Sequence, residues 1–217
     1  PEVIERASRC VIECSDRMVP IFTRSFPTAT VVGYKFNNIP VTTAEGIDYQ
    51  IPIASLGQHF RPDFGSFPSH QGYLKADPDK VAKIRARYEA LAGGRRIVGL
   101  SWRSNNEYNG EAKSIALSDM TPILQVPGLM FVNLQYGDCT EALAEVRERL
   151  GIEVIQDTAV DPLADMDTFF AQVGAMDLVL STSNTTAHVA GAQNTPVWVL
   201  LPHGKSLAPY WFLRRAD

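Results

Sequence analysis

Between Leu180 and Ala192 the chain reads Leu-Ser-Thr-Ser-Asn-Thr-Thr-Ala-His-Val-Ala-Gly-Ala. An apolar run gives way to five small hydroxyl or amide residues, Thr182 to Thr186, and then to a stretch of small residues. A strand, a tight turn and the start of a close-packed helix would have this order. Asn184 is a good N-cap, because its side-chain oxygen can accept from the first free helical amides. The N–H groups of Thr185, Thr186 and Ala187 would then project from the helix start, where aligned peptide dipoles add about half a positive charge. Such an end accepts phosphate oxygens, and threonine hydroxyls add donors. His188, one turn in, is either a ligand contact or a half-buried helix residue. Gly191 and the alanines around it would let the helix pack close to the sheet. A plain capped helix needs one capping residue, and the richness of this turn favours an anion site.

A second segment, residues 101–114, runs Ser-Trp-Arg-Ser-Asn-Asn-Glu-Tyr-Asn-Gly-Glu-Ala-Lys-Ser. A long polar loop in a compact domain often carries function, although a solvated surface loop reads the same way. Arg103 and Lys113 could supply the positive charge that a diphosphate needs. Asp165-Met166-Asp167 has the form of a metal-binding pair, but it precedes a helical pattern, where acidic residues cap and match the dipole. His203, after the last apolar run, is a weaker candidate than His188, and His59 and His70 lie in the loop-rich region with no metal-ligand partner at useful spacing. No metal and no cofactor are expected. No G-x-G-x-x-G follows an apolar run, and neither a P-loop nor a G-x-S-x-G occurs, which disfavours dinucleotide cofactors, P-loop NTPases and serine hydrolases of the α/β type.

The elements that would hold these segments follow a regular plan. Apolar runs at 97–102, 129–134, 152–155, 177–181 and 196–201 read as strands. Helical patterns separate them at 118–125, 140–150, 165–173 and 185–192. Most of the runs are continuous rather than alternating, as in strands buried on both faces of a parallel sheet. Strand–helix repetition at this spacing gives a doubly wound α/β fold, whose ligands bind at the carboxyl ends of the strands. Upstream, 8–14 and 30–34 read as strands around a short helix capped by Asp16 and closed by Pro27. Residues 37–76 are loop-rich, with a helical turn after Pro52. A helix over 79–91 has Asp77 as cap, Pro78 in its first turn and Gly93-Gly94 at its end.

The chain has 217 residues, 45% hydrophobic and 20% charged, with a formal net charge of −4. These values are ordinary for a soluble globular protein of one large or two small domains. An acidic chain without a basic run is a poor partner for nucleic acid. No apolar stretch approaches the roughly 18 residues of a spanning helix, and no signal peptide opens the chain. Three cysteines, Cys10, Cys14 and Cys139, at spacings that fit no zinc pattern, read as reduced thiols in a cytoplasmic protein. The start at Pro1 and the end soon after Pro209-Tyr210-Trp211-Phe212 lead us to expect a fragment of a longer protein.

From 177–181 through Thr195-Pro196-Val197-Trp198-Val199-Leu200-Leu201-Pro202 the chain resembles the C-terminal half of GT-B glycosyltransferases. It looks most like bacterial proteins that join tetratricopeptide repeats to a glycosyltransferase domain. These are relatives of the lipopolysaccharide heptosyltransferases (family 9) and, more distantly, of O-linked N-acetylglucosamine transferases (family 41). Val98-Gly99-Leu100-Ser101-Trp102, Lys113-Ser114-Ile115-Ala116-Leu117, Phe131-Val132-Asn133-Leu134-Gln135 and Asp165-Met166-Asp167-Thr168 stand in the family's order and spacing. The clear match covers about 95–202. Arg24-Ser25-Phe26-Pro27 and Ile53-Ala54-Ser55-Leu56-Gly57 look like the later part of the N-terminal half.

The resemblance implies a Rossmann-like doubly wound parallel sheet over 95–217, truncated at its end. A partial second α/β half at 1–76 and a connecting helix at 77–94 would precede it. It also implies a nucleotide-sugar as donor substrate, an acceptor hydroxyl that the sequence does not identify, and tetratricopeptide repeats upstream. By position, Thr185 and Thr186 would hold the donor diphosphate with their amides, alongside Asn184, Ala187 and His188. Lys113 would neutralise it. Leu134, Gln135 and Tyr136 would border the nucleobase, and Trp102, Arg103 and Ser104 would line the cleft. Many relatives carry an Asp where Ser183 stands. The family's catalytic base lies early in the N-terminal half, so no catalytic residue is assigned. Two other readings remain: a non-catalytic binding module of the same fold, and a GT-B-like sugar-nucleotide epimerase, which would need paired acids facing the cleft.

Overall fold

The computed structural model describes residues 1–35, 46–69, 71–108 and 110–202. His70, His203, Asn109 and the aromatic segment 209–212, all singled out in the sequence or lying in segments that were, fall outside the described residues. The chain divides into two compact units, Pro1–Lys75 and Ala76–Asp217.

The first unit contains α1 (Glu2–Arg6), β1 (Val11–Ser15), α2 (Val19–Ser25), β2 (Thr30–Tyr34) and α3 (Gly57–Phe60). β1 and β2 are parallel, with Val11 opposite Thr30 and Ser15 opposite Tyr34. The first strand begins three residues later than the apolar pattern predicts. Asp16 does not cap the following helix: it opens a 3-10 turn, Asp16–Met18, with Ser15 at the cap position and no side-chain cap bond. Gly33 is required by close approach, since a Cβ there would lie 2.2 Å from Asp16 Oδ1 and 2.9 Å from Val19 Cγ2. The Ser25 hydroxyl, which donates to Ile21 O at 2.6 Å, also accepts from Lys75 N at 2.9 Å, fastening the end of the unit's long loop to α2.

The second unit opens with α4 (Pro78–Ala92). Asp77 Oδ1 accepts from Asp79 N and Lys80 N at 3.0 and 3.1 Å, and Gly93, at φ 57°, supplies the left-handed end that a β-carbon disfavours. Then come β3 (Arg96–Ser101), α5 (Thr121–Leu124), β4 (Leu129–Asn133), α6 (Thr140–Leu150), β5 (Val154–Ile155), α7 (Met166–Gly174), β6 (Leu178–Thr182), α8 (Thr185–Gln193) and β7 (Val197–Leu200). The five strands are parallel in the order β5-β4-β3-β6-β7. Numbered within this unit, that is 3-2-1-4-5, the order of a Rossmann-like sheet.

Continuous apolar strands are buried as expected in the middle of the sheet, where β3, β4 and β6 are almost wholly enclosed. The edge strand β7 departs from this, with Trp198 68% exposed. Val98, Leu100, Trp102, Leu117, Met120, Leu124, Phe131 and Val146 form one contiguous apolar cluster under α5 and α6. Each large side chain fully buried in this way contributes about 1.5–3 kcal/mol. The helix predicted over 118–125 is instead a 3-10 turn, Leu117–Met120, followed by the single turn of α5. Pro122 and Pro127 leave no room for a longer helix.

On the other face, α4 packs along α7. Lys80 Nζ bonds Asp167 Oδ2 at 2.9 Å, and the buried Tyr88 hydroxyl donates to Asp157 at 2.7 Å while accepting from Gln172 at 2.8 Å. Asp165 caps α7 by accepting from Thr168 N at 3.0 Å. Both acids of the Asp165-Met166-Asp167 segment are thus engaged within the protein. Cys10, Cys14 and Cys139 are free thiols. Among the described residues no helix is long and apolar enough to cross a membrane.

Candidate functional site

In the order 3-2-1-4-5 the chain leaves β3 in one direction to reach β4 and returns on the other side to reach β6. The loops after β3 and β6 therefore diverge, and in doubly wound sheets this is the place where a ligand crevice forms. Ser101 and Ser181, the register partners at this point, are both fully buried. The loop after β3 carries Trp102, Arg103, Ser104 and Lys113. The turn after β6 carries Asn184 and the start of α8.

Asn184 joins the two. Its Oδ1 accepts from Thr186 N at 2.9 Å and lies 3.0 Å from the Ser181 hydroxyl. Its Nδ2 donates to Ser101 Oγ at 2.8 Å and to the Arg103 carbonyl at 3.2 Å. From the β4 side, Gln135 Oε1 accepts from Ser101 Oγ at 3.2 Å, Trp102 N at 3.1 Å and Arg103 N at 2.9 Å. Asn133 Oδ1 in turn holds Gln135 N at 2.8 Å. Asn184 and Gln135 are 8% and 4% exposed, so these side chains are spent on protein partners. Arg103 turns towards the β4 loop, where its guanidinium donates to the carbonyls of Tyr136 and Asp138. Tyr136 reaches back to the β3 loop, its hydroxyl accepting from Asn105 N at 2.9 Å. Trp102, 3% exposed, is part of the apolar cluster.

The remaining loop is stitched by Ser114. Its hydroxyl accepts from Ser104 N at 2.9 Å and donates to Gly110 O at 2.7 Å. Gly110 permits this fold-back, because a Cβ would lie 2.3 Å from Ser104 O and 2.5 Å from Asn106 O. Ile115 N closes the loop onto Trp102 O at 2.9 Å. Lys113 ends the 3-10 turn Glu111–Lys113 within this brace and is half-buried. Between this loop and α6 lies an open hollow of about 430 Å³, bordered by Ser104, Glu111, Ile115, Ala142 and Glu145.

At α8 the cap forms as the sequence predicts, and one of the three expected amides, Thr186 N, is occupied by Asn184 Oδ1. Among the described residues no acceptor bonds Thr185 N or Ala187 N. Thr185 is exposed, whereas Thr186 and Ala187 are buried beside it. His188 is exposed one turn further along. Partial shielding of its imidazole from water, and then the positive charge of Lys113, hold it below its ordinary pKa. Lys113 and His188 are therefore brought close, although 75 residues separate them in sequence (188 − 113). Close packing of α8 comes from Ala187, Ala190 and Ala192, all buried. Gly191 plays no part in it, since it is exposed and a Cβ there would meet nothing within 4 Å.

No protein-family model matches the chain. The chain is 36% identical over 194 residues to Protein FlbA of Caulobacter vibrioides, a match covering 85% of this chain and 32% of that protein. It thus spans about a third of the length of this curated relative. Among solved structures it is similar to the glycosyl transferase family 9 protein of Veillonella parvula, with a TM-score of 0.48 and 12% identity over 61% of this chain and 38% of that one. It is also similar to the ADP-heptose lps heptosyltransferase II of E. coli, with a TM-score of 0.43 and 17% identity over 63% of this chain and 42% of that one. The Rossmann-like character of the second unit rests on its own strand order and parallel register.

The bracing by Gln135, Asn184 and Ser114 was not legible as such in the sequence. One signal was present: the apolar runs of β3, β4 and β6 each end in small polar residues, Ser101, Asn133 and Ser181. Polar side chains at buried strand tips must find partners, and here Ser101 and Ser181 find Asn184, while Ser101 and Asn133 find Gln135.

Proposed function

We propose that the second unit binds the diphosphate of a nucleotide-sugar in the crevice between the β3 loop and α8, and that the chain is a glycosyltransferase or a part of one. The observation that carries this reading is the exposed start of a nine-residue helix at the strand-order reversal, with Lys113 near enough for its charge to act on His188 one turn in. A helix N-terminus and a nearby ammonium together suit a doubly charged leaving group.

In the reaction, an acceptor hydroxyl oxygen attacks the anomeric carbon as the bond from that carbon to the diphosphate oxygen breaks. The nucleoside diphosphate departs with the electron pair, and the acceptor proton passes to a base that we do not assign to this chain. Lys113 and the amide of Thr185 would stabilise the charge that develops on the leaving oxygen, and donors aimed in this way are worth about 2–4 kcal/mol each in the transition state. No metal is needed for that role.

Titration calorimetry with UDP, ADP and GDP tests the reading. At least one should bind, and Lys113→Ala should weaken it by about tenfold to a hundredfold, as expected for one charge-assisted contact, with the thermal transition unchanged. Unaltered affinity in Lys113→Ala would refute the assignment. Binding without sugar transfer would instead mark a non-catalytic module that kept the fold.

A further inference from the structure

The side chains of Gln135 and Asn184 grip one dipeptide from opposite sides. Gln135 Oε1 takes the N–H groups of Trp102 and Arg103, at 3.1 and 2.9 Å. Asn184 Nδ2 takes the Arg103 carbonyl at 3.2 Å, and Ile115 N takes the Trp102 carbonyl at 2.9 Å. Both peptide groups of Trp102 and Arg103 are thereby spoken for by three different segments. Asn184 has a second duty as the cap of α8. Among the described residues the Gln135 side chain makes no hydrogen bond to α8: apart from its bonds to the β3 end, its Nε2 donates to the adjacent Tyr136 carbonyl, at 3.3 Å.

The path from Gln135 to the crevice is short. Its amide oxygen fixes the Trp102 peptide, the Trp102 carbonyl fixes Ile115 N, and Lys113 stands two residues before Ile115. Ser114, the residue between, ties the same stretch to Ser104 N and Gly110 O. Gln135 is 4% exposed, and a side-chain oxygen that accepts three donors in such a place is a rigid anchor. Resting on the reading of the crevice as a diphosphate site, we infer that Gln135 is a positioning residue, which sets the β3 loop that carries Lys113, and does not itself touch the ligand.

A double-mutant cycle on the full chain separates this role from direct contact, with inorganic pyrophosphate and UDP, ADP or GDP as probes in calorimetry. Gln135→Met keeps the volume and removes the acceptor. Affinity should fall about tenfold, because the Trp102 and Arg103 N–H groups lose their shared acceptor and the loop loses its fixed position. In a Lys113→Met background the same change should cost less than about twofold, because the group being positioned is gone. Equal losses in both backgrounds would overturn the inference, as direct contact or general loosening would produce them. If Gln135→Met does not fold, Ser114→Ala breaks the brace nearer Lys113 and should show the same dependence on Lys113, with additivity again overturning it. Failure of the unmodified chain to bind any of these probes would refute the diphosphate site and Gln135's role together. Binding with additive losses would refute the role of Gln135 alone.

Discussion

Replacing Asn184 by alanine perturbs the second unit at the point where three loops meet. The substitution removes the acceptor for Thr186 N, one partner of the Ser181 hydroxyl, and the donors to Ser101 Oγ and the Arg103 carbonyl. Loss of the helix cap alone costs about 1 kcal/mol. The two serine hydroxyls can rotate towards Thr182 O and Gln135 Oε1, which lie at 2.8 and 3.2 Å, so their loss is partly offset. The Arg103 carbonyl has no such alternative among the described residues, and an unsatisfied buried group costs about 1–3 kcal/mol. Together these give a destabilisation of about 2–4 kcal/mol, a factor of roughly 30 to 1,000 in the folding equilibrium. Urea denaturation followed by far-ultraviolet circular dichroism would measure it, with the slope checked for constancy. Asn184→Asp is the informative companion. It keeps the acceptor for Thr186 N and adds a charge that a helix start favours, but turns a carboxylate towards the Arg103 carbonyl. It should restore part of the stability while weakening diphosphate binding more than Asn184→Ala does. A loss below about 0.5 kcal/mol for Asn184→Ala, within the range of ordinary surface changes, would refute the claim that this residue joins the loops.

The crowding at Gly110 makes a second substitution informative. In Gly110→Ala the new Cβ would press on two backbone carbonyls rather than on flexible side chains, so the β3 loop must shift, at a cost of about 1–3 kcal/mol. Diphosphate affinity should fall with it, and a variant of native stability and affinity would show that the fold-back does not matter. The pH dependence of His188 has a defined sign. Because its pKa is lowered in the folded chain, the unfolded chain takes up the proton first. Stability should decline as pH falls through about 6.5 and level off below the folded value. Lys113→Ala should raise the His188 pKa in an NMR titration, and an unmoved titration curve would contradict the proximity of the two residues.

Much of the second unit was legible in residue order because its information is local. Continuous apolar runs identified β3, β4 and β6, Asp77 and Asn184 identified two helix starts, and Gly93 marked a helix end. These features depend on neighbours within a few residues, where propensity and capping act directly. Errors arose where local signals competed: Pro122 and Pro127 cut short a helix that the apolar spacing favoured, and Asp16 entered a 3-10 turn instead of capping. The apolar run of β7 did not reveal that Trp198 lies on an edge.

The site divides in the same way. The amide-bearing start of α8 is a property of consecutive residues, and the sequence alone determined it. Which of its amides stay open, and what faces them, was decided by tertiary structure. Parallel pairing of β3 with β6 sets Ser101 beside Ser181. Only then can Asn184 occupy Thr186 N while holding the β3 loop, and only then does Lys113 come near His188. Such contacts join residues tens of positions apart, and no spacing pattern encodes them, because the partners meet only after the sheet order has brought two strand ends together.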